Sequence, residues 1–273
     1  VNVGQNIDIA SDGDVYNILL IGSDTRNGWY GNSDSMILAS INSQTKTIYM
    51  TSFMRDLYAN IPNVGIRKLN SAYAVGGGPL LVSTIESNYR IDIDNYASVD
   101  FSSMANIIDL VGGVDLEVST QEAGYINMYL DEQCGLQGLN ASDYYVTGGG
   151  ITHLNGNQAV GFARIRYTSR GNEHSDYGRT SRQREILVQL MQKARSLDAT
   201  TLLAVVNNML PLITHNIDAA TLTNLIANAP SYINYDIQTD RIPYDGLYSN
   251  LGEELVPDFE ATINRLHQTI YGN

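Results

Sequence analysis

The sequence is short of almost every residue that would staple a chain or carry it through a membrane. Only one of its 273 residues is cysteine, Cys134, so no internal disulfide can form, and the lack of any Cys or His cluster around it argues against zinc. The four histidines, His153, His174, His215 and His267, form no ligand spacing. No apolar run reaches membrane-spanning length, and no signal peptide, internal repeat or low-complexity break is present. Positive charge is scarce too. Against 29 Asp and Glu there are 16 Lys and Arg, a net charge of −13, which disfavours nucleic acid as a partner over a broad surface. No Walker A loop, dinucleotide fingerprint, G-x-S-x-G elbow or H-E-x-x-H occurs, which weakens nucleotide, acyl-transfer and zinc readings. At 43% hydrophobic the chain can bury a substantial core, and a single domain is expected over 15–273. Residues 1–14, polar, acidic and aperiodic, read as a tether; the abrupt Val1 start without Met suggests a truncated chain, in which an upstream anchor would be invisible.

Against this acidic background one stretch stands out. Between Phe162 and Glu185 lie Arg164, Arg166, Arg170, Arg179, Arg182 and Arg184, six of the 16 basic residues. Read as a strand, Ala163 to Tyr167 would put Arg164 and Arg166 on one face while Ala163, Ile165 and Tyr167 turn to a core. A helix opening near Gly178 and Thr180 would add Arg179, Arg182 and Gln183 in its first turn. Guanidinium forks suit phosphate oxygens, and such a cluster is costly unless an anion neutralises it, so a polyanion site is expected. Arg170 and Arg184 fit a plainer role, pairing with local carboxylates such as Glu173, Asp176 and Glu185. Thr180 and Gln183 also match a capping box, and both readings of Gln183 stay open.

Helix and strand patterns alternate along the rest of the chain, so the class is α/β. Tyr16 to Gly22 reads as a buried strand, Met36 starts a second, Thr47 to Phe53 is a third, and the residues between Asn42 and Lys46 carry turn chemistry. If consecutive strands are antiparallel, Asp24, Arg26, Asp34 and Arg55 gather at one sheet end, joined by Arg166 if its strand runs parallel to the first. Two carboxylates there suit a divalent cation, Mg²⁺ favouring one or two carboxylates plus phosphates and waters; Asx turns or ion pairs with Arg26 and Arg55 explain them equally well. Lys68 to Val75 and Pro79 to Tyr89 read as helical pieces around Gly76-Gly77-Gly78, and Ser102 to Val111 as a helix before the strand Val114 to Val118. Residues 119–150 show no placeable pattern. Asn155 to Phe162 reads as a short helix, Thr201 to Met209 and Ala219 to Ala229 as helices, Tyr235 to Ile242 as an edge strand, and Asp258 to Tyr271 as a closing helix.

The motifs NILLIGSDTR at 17–26, SDSMILASIN at 33–42, TSFMRDLY at 51–58, KLNSAYAVGG at 68–77, VDFSSMANIIDLVGGVDLEV at 99–118, LNGNQAVGFARIRY at 154–167 and DYGRTSRQRE at 176–185 resemble the LytR-CpsA-Psr family. That resemblance implies an α/β/α sandwich with a central mixed β-sheet and an apolar pocket for a polyprenyl chain. It implies a membrane-anchored protein at the extracellular face of a Gram-positive bacterium. Such proteins transfer a glycopolymer, teichoic acid or capsule, from a polyprenyl-pyrophosphate carrier to peptidoglycan as a phosphodiester. By the same resemblance Asp24 and Asp34 would hold Mg²⁺ or Mn²⁺, and Arg55, Arg164 and Arg166 the pyrophosphate. Arg26, Arg179, Arg182 and Gln183 would line the head-group pocket, and Asp176 would be the base, with a helix-dipole role as its alternative. A non-catalytic polyprenyl-phosphate-binding or regulatory protein, and a polyprenyl-pyrophosphate hydrolase, are the competing functions.

Overall fold

A computed structural model of the chain describes residues 9–23, 31–137, 140–171, 173 and 175–272. In chain order its first elements are strands β1 (Val15–Ser23), β2 (Ser33–Asn42), β3 (Thr47–Phe53), β4 (Tyr58–Ile61) and β5 (Gly65–Lys68), helix α1 (Ser71–Tyr89), β6 (Asn95–Asp100), α2 (Phe101–Leu110), β7 (Val114–Val118) and α3 (Thr120–Gln137). There follow β8 (Gly150–Leu154), α4 (Gly156–Ala163), α5 (Ser175–Arg195), α6 (Ala199–Met209), β9 (Thr214–His215), α7 (Ala219–Tyr232), β10 (Asp236–Ile242), β11 (Tyr248–Leu251), β12 (Glu254–Pro257) and α8 (Phe259–Tyr271). The chain divides into two compact units, each assembled from separated segments.

The first unit draws its described residues from Val1–Ser98, Thr214–Leu222 and Tyr235–Asn273. Its centre is a six-stranded sheet in the order β10-β3-β2-β1-β6-β9. β1 alternates strictly, burying Val15, Asn17, Leu19, Ile21 and Ser23, and pairs antiparallel with β2 through Ile21↔Met36. The β2–β3 hairpin is set by Asn42, whose Oδ1 accepts from Gln44 N at 3.0 Å and Thr45 N at 2.9 Å, an Asx turn that reverses the chain. β10 lies at the edge, parallel to β3, which makes the sheet mixed. α1 is two helical pieces, as the sequence suggests: Gly76 and Gly77 leave helical geometry, Gly77 with φ +63°, and Pro79 restarts the helix where its missing N–H costs nothing. α8 starts at the Asp258 cap, and Asn42 Nδ2 donates to Ile270 O at 3.0 Å to hold it beside the sheet. The fold class is α/β, a central mixed sheet flanked by helices.

The second unit draws on Val99–Ile213 and Thr223–Asn234. Its core joins Ile108, Val118, Ile126, Leu130, Leu154, Phe162, Ile165 and Ile186. Asp100 caps α2, accepting from Ser103 N at 2.7 Å, and Asn155 with Gln158 forms a reciprocal capping box that starts α4. The region 119–150 contains an 18-residue helix, α3, where the sequence offered no placement. A second correction bears on function: Ala163 to Tyr167 is not a strand. The α4 helix runs to Ala163, Arg164 is its C-cap, and the chain continues as irregular loop. Ile165 is buried, whereas Tyr167 is 74% exposed instead of facing a core.

α2 and α4 pack at backbone contact through Gly156, where a Cβ would lie 2.0 Å from Ala105 O. Gly156→Ala should therefore cost about 1–3 kcal/mol through overpacking. A lowered melting temperature checks this, and an unchanged one would mean the two helices can separate freely.

Candidate active site

In the first unit the sheet end does collect charge. The β1–β2 register changes from Gly22↔Ser35 to Ser23↔Ser33, so Asp34 is the extra residue of a β-bulge. Bulges re-aim side chains, and this one leaves the Asp34 carboxylate partly exposed. Arg55 follows the last residue of β3 by two positions, on the same sheet end, with Nη1 3.4 Å from Asp34 Oδ1 and Nε 3.4 Å from Asp56 Oδ2. Asp34 and Arg55 thus come together as the strand directions require. Asp24 and Arg26 lie outside the described residues. The expected arrival of Arg166 at that end depended on a strand that does not form.

In the second unit the loop 164–171 and the first turns of α5 gather the remaining cations. The Arg164 guanidinium carbon lies over two aromatic rings, 4.7 Å from the Phe101 ring centre and 4.6 Å from that of Tyr129. Tyr129 also donates its hydroxyl to Arg164 O at 3.1 Å, fixing backbone and side chain together. A cation–π contact leaves the N–H donors of a guanidinium available for an oxyanion. Among the described residues the Arg164 guanidinium meets no carboxylate or carbonyl partner. Asp176, in the first turn of α5, is shared by two other arginines: Arg166 Nε and Arg179 Nη2 are each 3.5 Å from its Oδ1. The preceding Ser175 has φ +52°, a strained conformation of the kind that clusters at functional sites.

Arg182 is different. It is 0% exposed, with Nε donating to Glu122 Oε1 at 2.9 Å, Nη1 to Ile165 O at 3.3 Å, and Nη2 to Thr168 O at 3.1 Å and Ser169 O at 3.0 Å. A guanidinium so enclosed ties the loop to the core, which corrects the expectation that Arg182 contacts a head group. Arg170 and Arg184 do pair locally, Arg170 with Glu185 and Glu122, and Arg184 with Glu173 at 3.7 Å. The Thr180–Gln183 capping box is also corrected: α5 begins at Ser175, and the Thr180 hydroxyl bonds back to Asp176 O at 2.8 Å inside the helix. Gln183 is half-buried on α5. Phe101, Tyr129 and Glu122 escaped the sequence reading because two lie in or beside the unplaced region, and nothing in sequence links an aromatic to an arginine 35 residues away.

The sequence profile of the LytR_cpsA_psr family matches residues 2–265. The chain belongs to the LytR_cpsA_psr family. A polyisoprenyl-teichoic acid–peptidoglycan teichoic acid transferase, TagU of Oceanobacillus iheyensis, is 37% identical over 195 residues, which cover 69% of this chain and 54% of that protein. The chain spans roughly half the length of the curated relatives it matches. Among solved structures, TagT bound to LIIa-WTA superposes with a TM-score of 0.72 at 22% identity over 95% of this chain and 91% of that one. The family protein YwtF (TagT) with bound octaprenyl pyrophosphate lipid gives 0.67 at 21%, over 96% and 92%. At such identities the two structures establish a shared fold.

In this LytR_cpsA_psr chain the loop's anchor is electrostatic. Burial pushes the Glu122 carboxyl up, but bonds from the Ser119 amide and hydroxyl, each 2.9 Å, the Arg182 bond and the charge of Arg170 outweigh it and hold the group below its ordinary value. Glu122→Gln should destabilise the protein by about 3–5 kcal/mol, because Arg182 keeps a buried charge without its partner. A depressed carboxyl contributes fully above its ordinary value of 4.5 and loses the contribution as pH falls through the lower folded value. Denaturant unfolding near neutral pH and at about pH 3 should show the gap between wild type and Glu122→Gln narrowing in acid; a constant gap would contradict the assignment.

Proposed function

We propose that this chain is a phosphotransferase that moves a glycopolymer from a polyprenyl-pyrophosphate carrier to a sugar hydroxyl of peptidoglycan. The observation that carries the proposal is the Arg164 guanidinium, over the rings of Phe101 and Tyr129 and without a carboxylate or carbonyl partner among the described residues, just before the pair Ile165-Arg166 that brings a second cation to Asp176. The names of relatives support the reaction class, TagU being called a teichoic acid transferase and TagT having been solved with a prenyl pyrophosphate. The working site is the extracellular face of a Gram-positive cell, where a membrane anchor would keep the chain near its lipid-linked donor. Among the described residues no helix is long and apolar enough to cross a membrane.

The chemistry needs little covalent work from the protein. The acceptor hydroxyl oxygen bonds to the sugar-side phosphorus, the bond from that phosphorus to the bridging oxygen breaks, and polyprenyl monophosphate leaves with the electron pair. Arg164 and Arg166 bind the pyrophosphate oxygens, where charge accumulates in the transition state, and Arg55 and Arg179 serve as further anion ligands. Asp176 takes the hydroxyl proton, as a base within reach of the same arginines. Gln183 and Arg26 complete the head-group contacts.

A divalent cation, Mg²⁺ or Mn²⁺, fits the donor chemistry of Asp34 with Asp24: hard carboxylate oxygens, Asp34 partly exposed at a bulge, in the number that Mg²⁺ takes alongside phosphates and waters. Among the described residues no group of three His, Cys, Asp or Glu could replace them. Bound there, the cation supplies charge neutralisation of the pyrophosphate. Turnover should stop in EDTA, return with Mg²⁺ or Mn²⁺, and be lost in Asp34→Ala at unchanged melting temperature; undiminished activity in EDTA would remove the cation from the account.

Two substitutions separate binding from proton transfer. Arg164→Lys should weaken donor binding and turnover together, since an ammonium offers no fork and stacks poorly. Asp176→Asn should lower turnover by roughly 10²–10⁴ while donor affinity stays near wild type. Wild-type turnover with a lowered melting temperature would leave Asp176 only its place at the start of α5.

A further inference from the structure

Beside the arginine clamp lies a second aromatic arrangement that the transfer chemistry does not use. α3 presents Tyr125 and Tyr129 four residues apart, hence on one face and about 6 Å apart along the helix. The loop after α4 runs alongside. Arg164 covers the ring of Tyr129, and three residues on Tyr167 meets Tyr125, with ring centres 5.8 Å apart and planes tilted by 36°. Tyr167 is 74% exposed, so most of its surface is presented to solvent. A single exposed aromatic is ordinary. Two paired rings, one helical turn from an arginine that has no carboxylate or carbonyl partner among the described residues, form a surface with an apolar step beside a cationic one.

That order matches a ligand in which a flat, partly apolar ring is joined directly to a phosphate. A pyranose is such a ring: its axial C–H groups make an apolar face that lies on an aromatic plane, while its hydroxyls stay at the edge in water. We propose that Tyr125 and Tyr167 form a platform for the pyranose bonded to the pyrophosphate, so that one turn of α3 spans the phosphate level at Tyr129 and the sugar level at Tyr125. The assignment rests on the reading that Arg164 holds the pyrophosphate. It gives the enzyme a means to distinguish loaded carrier from spent carrier, because polyprenyl monophosphate brings no sugar to the rings.

The test uses two soluble donors of equal prenyl length, a prenyl pyrophosphate and the same pyrophosphate carrying one hexosamine, with binding measured by calorimetry to the wild type, Tyr167→Ala and Tyr167→Phe. Tyr167→Ala should lose about tenfold in affinity for the sugar-bearing ligand only, and Tyr167→Phe should keep wild-type affinity for both. The high exposure of Tyr167 makes folding of both variants the expected result, and their melting temperatures verify it. Equal loss for both ligands, or no loss for either, overturns the platform while leaving pyrophosphate binding in place. Wild-type protein that binds neither ligand overturns the pyrophosphate reading itself. If Tyr167→Ala changes only the KM for a peptidoglycan fragment, the rings serve the acceptor and the assignment to the donor sugar is wrong.

Discussion

The buried pair of Glu122 and Arg182 is the interaction on which the second unit's charged loop depends. A loop without regular structure leaves its carbonyls to find partners elsewhere, and here three of them, from Ile165, Thr168 and Ser169, are taken by one guanidinium fixed on α5. The guanidinium in turn needs a counter-charge in the interior, and Glu122 on α3 supplies it with bonds from Ser119 completing its shell. Arg170 extends the network to Glu185, and both Arg170 and Arg182 sit over the Phe162 ring, at 5.3 and 5.7 Å. Removing either partner leaves a buried charge, which makes the arrangement all-or-none. The same loop carries Arg164, Arg166 and Tyr167, so a purely structural ion pair fixes the residues that face a ligand.

The arginines of this stretch divide by what surrounds them, not by their order in sequence. Arg182, Arg170 and Arg184 are matched to carboxylates or carbonyls, while Arg164 lies over two aromatic rings and meets no such partner among the described residues. Arg166 and Arg179 both touch Asp176 at 3.5 Å, Arg166 partly exposed and Arg179 buried.

Much of this was legible in sequence where local chemistry determines local structure. The alternating run in β1, the turn at Asn42 and the extent of β3 follow from period and turn residues, and they bring Asp34 and Arg55 to one sheet end. The bulge at Asp34 was not legible, because a one-residue register change leaves the pattern of apolar residues intact. Ala-Arg-Ile-Arg-Tyr reads as a strand by its alternation, yet the capping box at Asn155 commits the preceding residues to a helix through Ala163, and Ile165 is buried by the turn that follows. α3 did have a helical signal in Ala123, Ile126, Leu130 and Cys134, all buried. Gly124 and Gly135, with the exposed Met128 between them, obscured it. The functional split among the arginines depends on α3, so it became visible only with the fold.

The central claim is transfer to a sugar hydroxyl and not to water. A single-turnover reaction of a short-chain prenyl-pyrophosphoryl glycan with a peptidoglycan fragment in ¹⁸O-labelled water, read by mass spectrometry, tests it most directly. The account predicts a phosphodiester joining the two glycans with no ¹⁸O in its phosphate, and unlabelled prenyl monophosphate. A glycan phosphate monoester carrying one ¹⁸O, with no joined product, would contradict it.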